Sequence, residues 1–157
     1  MAIRTLAIRD ALVTELLKIG VTPASGWESG AGAPSVSAGR PKKDALDPAV
    51  ERQLFVQYGG NHPIREGATS GSHLFEATYA VFLVAPDPVN GEVMLHKLER
   101  DARRAIQLGE SALQAAGLAN AGIFDADFVM RDDMVEAGIF AGVLTVSASY
   151  ISTHDDP

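Results

Sequence analysis

The chain has 157 residues, of which 46% are hydrophobic, 21% are charged and none is Cys. This length predicts a single domain over residues 1–157 whose core needs no disulfide or metal. The absence of Cys excludes disulfides, iron–sulfur clusters, thiolate zinc sites and a cysteine nucleophile. No stretch approaches the roughly 20 apolar residues of a membrane span, and charges interrupt the N-terminal segment, so we expect no membrane contact and no signal peptide.

The net charge of −7 comes from 13 basic and 20 acidic residues, which are unevenly placed. Residues 1–65 carry 8 basic and 6 acidic residues, whereas residues 66–157 carry 5 basic and 14 acidic residues. An acidic chain repels the phosphate backbone, which argues against direct DNA binding. The acidity either serves solubility or provides a surface past which nucleic acid slides without binding.

An amphipathic helix is predicted over residues 2–19, ending near Gly20. The predicted core-facing stripe consists of Ile3, Leu6, Ala7, Val13, Leu16 and Leu17, widened by Ile8 and Leu12. No side chain suited to capping precedes this helix.

Residues 20–47 are rich in Gly, Pro and Ser, and we expect a long flexible loop there. The loop contains Trp27, the only Trp of the chain. It also contains a basic cluster of Arg40, Lys42 and Lys43. Trp27 either packs onto the core of its own chain or anchors a partner when the loop becomes ordered.

Two strands and a second loop are predicted next. Residues 48–58 fit either a strand or a helix, and the Gly-Gly pair that follows favours a strand. Residues 59–72 then form a second glycine-rich loop, and residues 73–85 form the clearest strand of the chain.

The most regular helix pattern covers residues 89–108, with Asp87 or Asn90 as its cap. Its apolar stripe consists of Leu95, Leu98, Ala102, Ala105 and Ile106, and its basic residues off that stripe are Lys97, Arg100, Arg103 and Arg104.

Alternation then predicts strands over 122–131 and 138–151, joined as a hairpin. A loose tail follows over residues 152–157. The fold class is α+β: an antiparallel or mixed four-stranded sheet with two main helices packed on one face and long flexible loops.

Motifs for chemistry are largely missing from the sequence. It has no phosphate-binding GxxxxGK[ST] loop, no GxSxG elbow and no close pair of histidines, so no cofactor, catalytic residue or metal ligand is predicted. Asp125 and Asp127 share one strand face, and Asp132 and Asp133 follow in a turn. These carboxylates either lie in solvent or serve a cation or acid–base chemistry.

Charge placement allows one further interpretation. The basic helix face of one copy could pair with the acidic hairpin of a neighbouring copy, which would close a ring of identical subunits. The candidate interface residues are Trp27, Arg40, Lys42, Lys43, Lys97, Arg100, Arg104, Asp125, Asp127, Asp132 and Asp133.

The order of these segments resembles the tail terminator (tail completion) proteins of long-tailed bacteriophages. The resemblance is carried by the segments IRTLAIRDALVTELLKIG, PAVERQLFVQYGG, HLFEATYAVFLVA, EVMLHKLERDARRAIQLG and GVLTVSASYIS, with a long loop after the first.

The resemblance implies a structural virion protein of the phage tail, assembled in the host cytoplasm and without enzymatic activity. Members of that family form a hexameric ring on the tail tube, stop its polymerisation and present the surface for head–tail joining. The implied partners are further copies, the tail tube protein and neck or head–tail connector proteins, while DNA passes through the lumen. The alternatives are a neck or head-closure connector, and a small dimeric α+β binding domain or enzyme.

Overall fold

The computed structural model of the chain describes residues 3–41, 46–47, 49–69, 72–115, 118–124, 128–130 and 139–153. Within these residues the chain forms three helices and six strands. In chain order they are α1 Arg4–Leu16, β1 Ser35–Ala38, β2 Gln53–Thr69, β3 Ser72–Ala85, α2 Gly91–Leu108, α3 Glu110–Ala115, β4 Leu118–Phe124, β5 Phe128–Met130 and β6 Phe140–Thr153.

The strands form one mixed sheet in the order β1-β2-β3-β6-β4, with β5 also pairing with β6. Only β1 and β2 run parallel; the other pairs among the described strands are antiparallel. The predicted α+β class is confirmed, although the described sheet has six strands and not four. The additional strands arise because β1 forms inside the long loop, and because the predicted strand over 122–131 is two strands on one edge of β6.

The prediction of a loop over residues 59–72 is wrong, because β2 continues to Thr69 and β3 begins at Ser72. Tyr58 pairs with Tyr79 and Asn61 pairs with Ala77, so β2 carries one extra residue at its Gly-Gly pair. A bulge of this kind absorbs the extra residue and lets the ladder continue. In the sequence the Gly-Gly pair suggests the end of a strand, but in the structure it marks a bulge within β2.

The hydrophobic core lies between one face of the sheet and the helices. The predicted stripe of α2 is confirmed, since all five of its residues are buried. In β6, Leu144, Val146 and Tyr150 are buried and Phe140 packs against the core. The buried strand side chains that meet the helices include Leu54, Val56, Tyr79, Val81, Leu83, Leu144 and Val146.

The core-facing side of α1 is only part of the predicted one, namely Leu16 and the two widening residues Ile8 and Leu12. Ile8, Leu12 and Leu16 are fully buried, whereas Ile3 is 54% and Leu6 is 38% exposed. Apolar residues occur on two sides of this helix, so periodicity alone does not select the buried side. The buried residues of this helix are spaced four apart, because the side on which they lie faces the sheet. The helix start has no side-chain cap hydrogen bond, as predicted.

Asp87, one of the two predicted caps, organises the start of α2. Its Oδ1 accepts hydrogen bonds from the backbone N–H of Val89 at 2.9 Å and of Asn90 at 3.1 Å. Asn90 occupies the cap position but makes no side-chain cap hydrogen bond. The N–H groups of Asn90 and Val89 hold the pKa of Asp87 below its usual value, because they stabilise the charged carboxylate.

Candidate assembly surface

A buried carboxylate on α2 holds the first half of the long loop. Asp101 is 1% exposed and accepts hydrogen bonds from the backbone N–H of Glu28 and Ser29, the latter at 2.7 Å. The Ser29 hydroxyl donates a further hydrogen bond to the same carboxylate at 2.5 Å. Three donors of one loop therefore converge on one side chain of the helix.

A buried guanidinium holds the same loop from the side of the sheet. Arg52, directly before β2, is 8% exposed. It donates hydrogen bonds to the carbonyl oxygens of Ala31 at 3.1 Å and of Gly32 at 2.6 Å, with a longer contact of 3.4 Å to the Ser29 hydroxyl. Burial of an arginine requires that its donors be satisfied, and here loop carbonyls satisfy them. We call residues 20–34, with Asp101 and Arg52, the loop clasp.

Two glycines permit the close approaches within the loop clasp. Gly20 has a φ of +77°, and a Cβ there would lie 2.5 Å from the carbonyl oxygen of Gly32. Gly26 has a φ of +93°, and a Cβ there would lie 2.4 Å from the Arg104 guanidinium. Both positions therefore favour glycine for its backbone conformation, and Gly20 requires it for space as well, because the atom that its Cβ would meet belongs to the backbone.

Trp27 lies within this loop against α2. The Arg104 guanidinium is 4.6 Å from the centre of the Trp27 ring, a cation–π distance. The indole N–H donates to the carbonyl oxygen of Pro23 at 2.6 Å, and the ring packs against the hydrophobic core while staying partly exposed. Of the two interpretations of Trp27, the structure shows packing onto its own chain; the role as a partner anchor stays a prediction.

The outer side of α2 carries three arginines, two of which form ion pairs. Arg100 forms an ion pair of 3.0 Å with Glu28 of the loop, and Arg103 forms one of 3.3 Å with Glu99. A shallow cleft of about 510 Å³ runs along this side, lined by Glu99, Arg100, Arg103, Arg104 and Gln107. Such a surface suits carboxylate groups of a partner, since guanidinium groups bind them in a planar, bidentate way.

The structure brings together three of the predicted interface residues, Trp27, Arg100 and Arg104, where the loop meets α2. Lys97 is exposed on the same helix, and Arg40 is exposed just after β1. The remaining candidates lie outside the described residues: Lys42, Lys43, Asp125, Asp127, Asp132 and Asp133. Their role in an interface stays a prediction.

Sequence reasoning missed the two residues that organise this surface, Asp101 and Arg52. One signal was available for Asp101, because it follows Leu98 by three residues and precedes Ala105 by four, which places it beside the apolar stripe. An acidic residue at such a position needs buried donors. Arg52 gives no comparable signal.

A cluster of tyrosines fixes the sheet against the start of α1. The Tyr79 hydroxyl donates to the carbonyl oxygen of Thr5 at 2.7 Å. Burial raises the pKa of Tyr79 far above its usual value, and the nearby phenols of Tyr58 and Tyr150 raise it further. The ring of Tyr150 stacks on Phe75 with ring centres 5.6 Å apart.

The described residues contain no group of three or more His, Asp or Glu side chains placed to hold a metal ion. Among the helices in the described ranges, none has the length and apolar character needed to cross a membrane.

No protein-family model and no curated protein matches the chain. Among solved structures, the chain is similar to one titled as a virion of the native gene transfer agent particle, with a TM-score of 0.44 and 11% identity over 92% of this chain and 94% of that one. It is also similar to a sheath/tube terminator of an extracellular contractile injection system in the extended state, with a TM-score of 0.42 and 9% identity. That match covers 96% of this chain but only 58% of the terminator chain.

Proposed function

We propose that this chain is a structural virion protein of the tail terminator type. Six copies form a ring on the last ring of the phage tail tube, stop its polymerisation and present the surface that joins the tail to the head. Its partners are the tail tube protein on one side and a neck or head–tail connector protein on the other. DNA passes through the lumen without specific binding, and the chain is not an enzyme.

The observation that carries this proposal is the order of the elements. The segments on which the family resemblance rests form α1, β2, β3, α2 and β6. Their three strands are neighbours in the sheet, in the order β2-β3-β6, and the core lies on the helix side of that sheet. This order of a helix, two strands, a helix and a closing strand agrees with the order of segments in the resemblance and supports the proposal.

The surface chemistry supports an assembly role. The prominent polar features in the described part of the chain are the loop clasp and the basic side of α2. Three arginines along one helix offer a partner several charged contacts over a wide area. Such a surface is typical of recognition between proteins, where charge fixes orientation.

Deleting the gene in the host that produces the particle tests the proposal. We expect tails of uncontrolled length without heads in negative-stain images, and tails of normal length when the wild-type gene is restored. Tails of normal length beside heads that fail to retain DNA would identify a head-closure connector instead. Particles that assemble normally would refute both assembly roles and favour the small binding domain or enzyme.

A further inference from the structure

The basic residues of the C-terminal part of the chain are concentrated on one helix. Residues 66–157 contain five basic residues, and four of them lie on α2. Residues 109–157 contain one basic and eight acidic residues. Because α2 itself carries four basic and three acidic residues, its basic character depends on where its cations lie. The segment that follows α2 is strongly acidic, so a basic surface on α2 would be complementary in charge to that segment of a second copy.

Three of the cations lie along one line of α2. Lys97, Arg100 and Arg104 follow one another at intervals of three and four residues, which places them on one side of a helix over roughly 10 Å. We call this line the basic ridge. The Arg100 side chain is 73% exposed, and Lys97 is exposed with no ion-pair partner in the described part of the chain. The ridge thus has charge available to a partner.

The loop clasp holds two of the three cations in place. The Arg104 guanidinium lies over the ring of Trp27 and donates a hydrogen bond to the carbonyl oxygen of Ser25 at 3.3 Å. Glu28 forms the ion pair with Arg100. Side chains that are fixed before binding lose less conformational entropy on binding. The loop therefore prepares the ridge for contact.

We propose that the basic ridge receives the acidic C-terminal segment, residues 109–157, of a second copy of this chain. This inference rests on the proposed function, because it names the contact by which copies join into a ring. The contact is heterologous, since each copy gives its ridge to one neighbour and its acidic segment to the other. Contacts of this kind form closed rings when the rotation between copies closes.

Charge reversal on the ridge tests the inference. Native mass spectrometry and sedimentation velocity at about 0.05 M and about 0.5 M salt would be applied to the wild type and to K97E/R100E. We expect wild-type oligomers at low salt that weaken at high salt, and at least about a tenfold loss of association in the variant. R100E alone is compared with R9E, which makes the same charge change on an arginine of α1 that pairs with the neighbouring Asp10. R9E should associate as the wild type does.

A charge swap adds a readout that misfolding cannot mimic. D132K/D133K should associate poorly with itself, and mixing it with K97E/R100E should restore mixed oligomers at low salt. A monomeric wild type at low salt, an association insensitive to salt, or an equal effect of R9E would overturn the inference. So would binding of a short DNA duplex that K97E/R100E abolishes while self-association persists. The proposed function fails separately, when deletion of the gene leaves tails of normal length.

Discussion

Replacing Asp101 by alanine should release the loop clasp from α2. The change leaves three loop donors without their acceptor, namely two backbone N–H groups and the Ser29 hydroxyl. A hydrogen bond to a charged group contributes about 1.5–3 kcal/mol, and such contributions do not add fully. Because the freed loop can turn its donors to water, we expect a loss of about 3 kcal/mol in the free energy of unfolding. That is a large share of the roughly 5–15 kcal/mol of an ordinary domain.

Trp27 makes the local effect measurable apart from the global one. It is the only Trp of the chain and lies within the loop clasp. Urea unfolding followed by circular dichroism gives the loss of global stability. Trp27 emission without denaturant reports the loop, and we expect it to shift to the red in D101A because the ring becomes more hydrated.

Asp10 provides the matched control. Its side chain is 64% exposed and pairs with the neighbouring Arg9 at 2.9 Å. Exposed ion pairs contribute about 0–1 kcal/mol, so D10A should leave stability and Trp27 emission nearly unchanged. The reasoning is refuted if D101A unfolds like the wild type, or if it loses stability while Trp27 emission stays the same.

Three further substitutions test other parts of the fold. Tyr79→Phe removes the hydrogen bond to α1 and should lower the free energy of unfolding by about 1 kcal/mol near neutral pH. Because burial raises the pKa of this phenol, the folded chain keeps the phenol proton to higher pH than the unfolded chain does. Wild-type stability should therefore fall above about pH 10, and the stability difference between the two proteins should shrink there in urea titrations. Gly142→Ala places a Cβ 2.2 Å from the ring of Phe128 and should cost about 1–3 kcal/mol, seen as a lower melting temperature. Asp87→Ala should destabilise α2 at neutral pH. The stability difference from the wild type should vanish as acid protonates the wild-type carboxyl, whose pKa is lowered in the fold. A stability difference that stays constant in acid would contradict this.

The elements that could be predicted from sequence are those whose large apolar residues recur with a clear period. In α2 the five predicted core residues form one stripe and all are buried, while Val93 and Leu108 lie off the stripe and are exposed. In β6 the large apolar residues at alternate positions identify the inner face, although Ala141 and Ser149 of the other face are buried as well. In both elements the periodic apolar residues mark the side that meets the core.

The features that escaped prediction depend on partners far away in sequence. β1 has four residues and forms because it pairs with β2 in parallel, from Ser35 opposite Gln53 onward. The loop clasp depends on Asp101, 72 residues beyond Ser29, and on Arg52, 23 residues beyond it. A composition rich in glycine indicates high conformational entropy, but it does not show which buried acceptors offset that entropy.

The loop clasp and the basic ridge share helix α2. Loss of the clasp should therefore weaken both stability and assembly, whereas loss of charge on the ridge should weaken assembly alone. Asp101 holds the loop from its buried position, whereas Arg100 and Arg104 contact the same loop from the exposed side. K97E/R100E should therefore weaken association of the copies while stability changes by less than about 1 kcal/mol, because only exposed charges change. D101A should weaken both, since a released loop no longer orients the Arg104 guanidinium. If D101A lost stability but associated with wild-type strength, the ridge would not need its support, and the loop would serve only the fold.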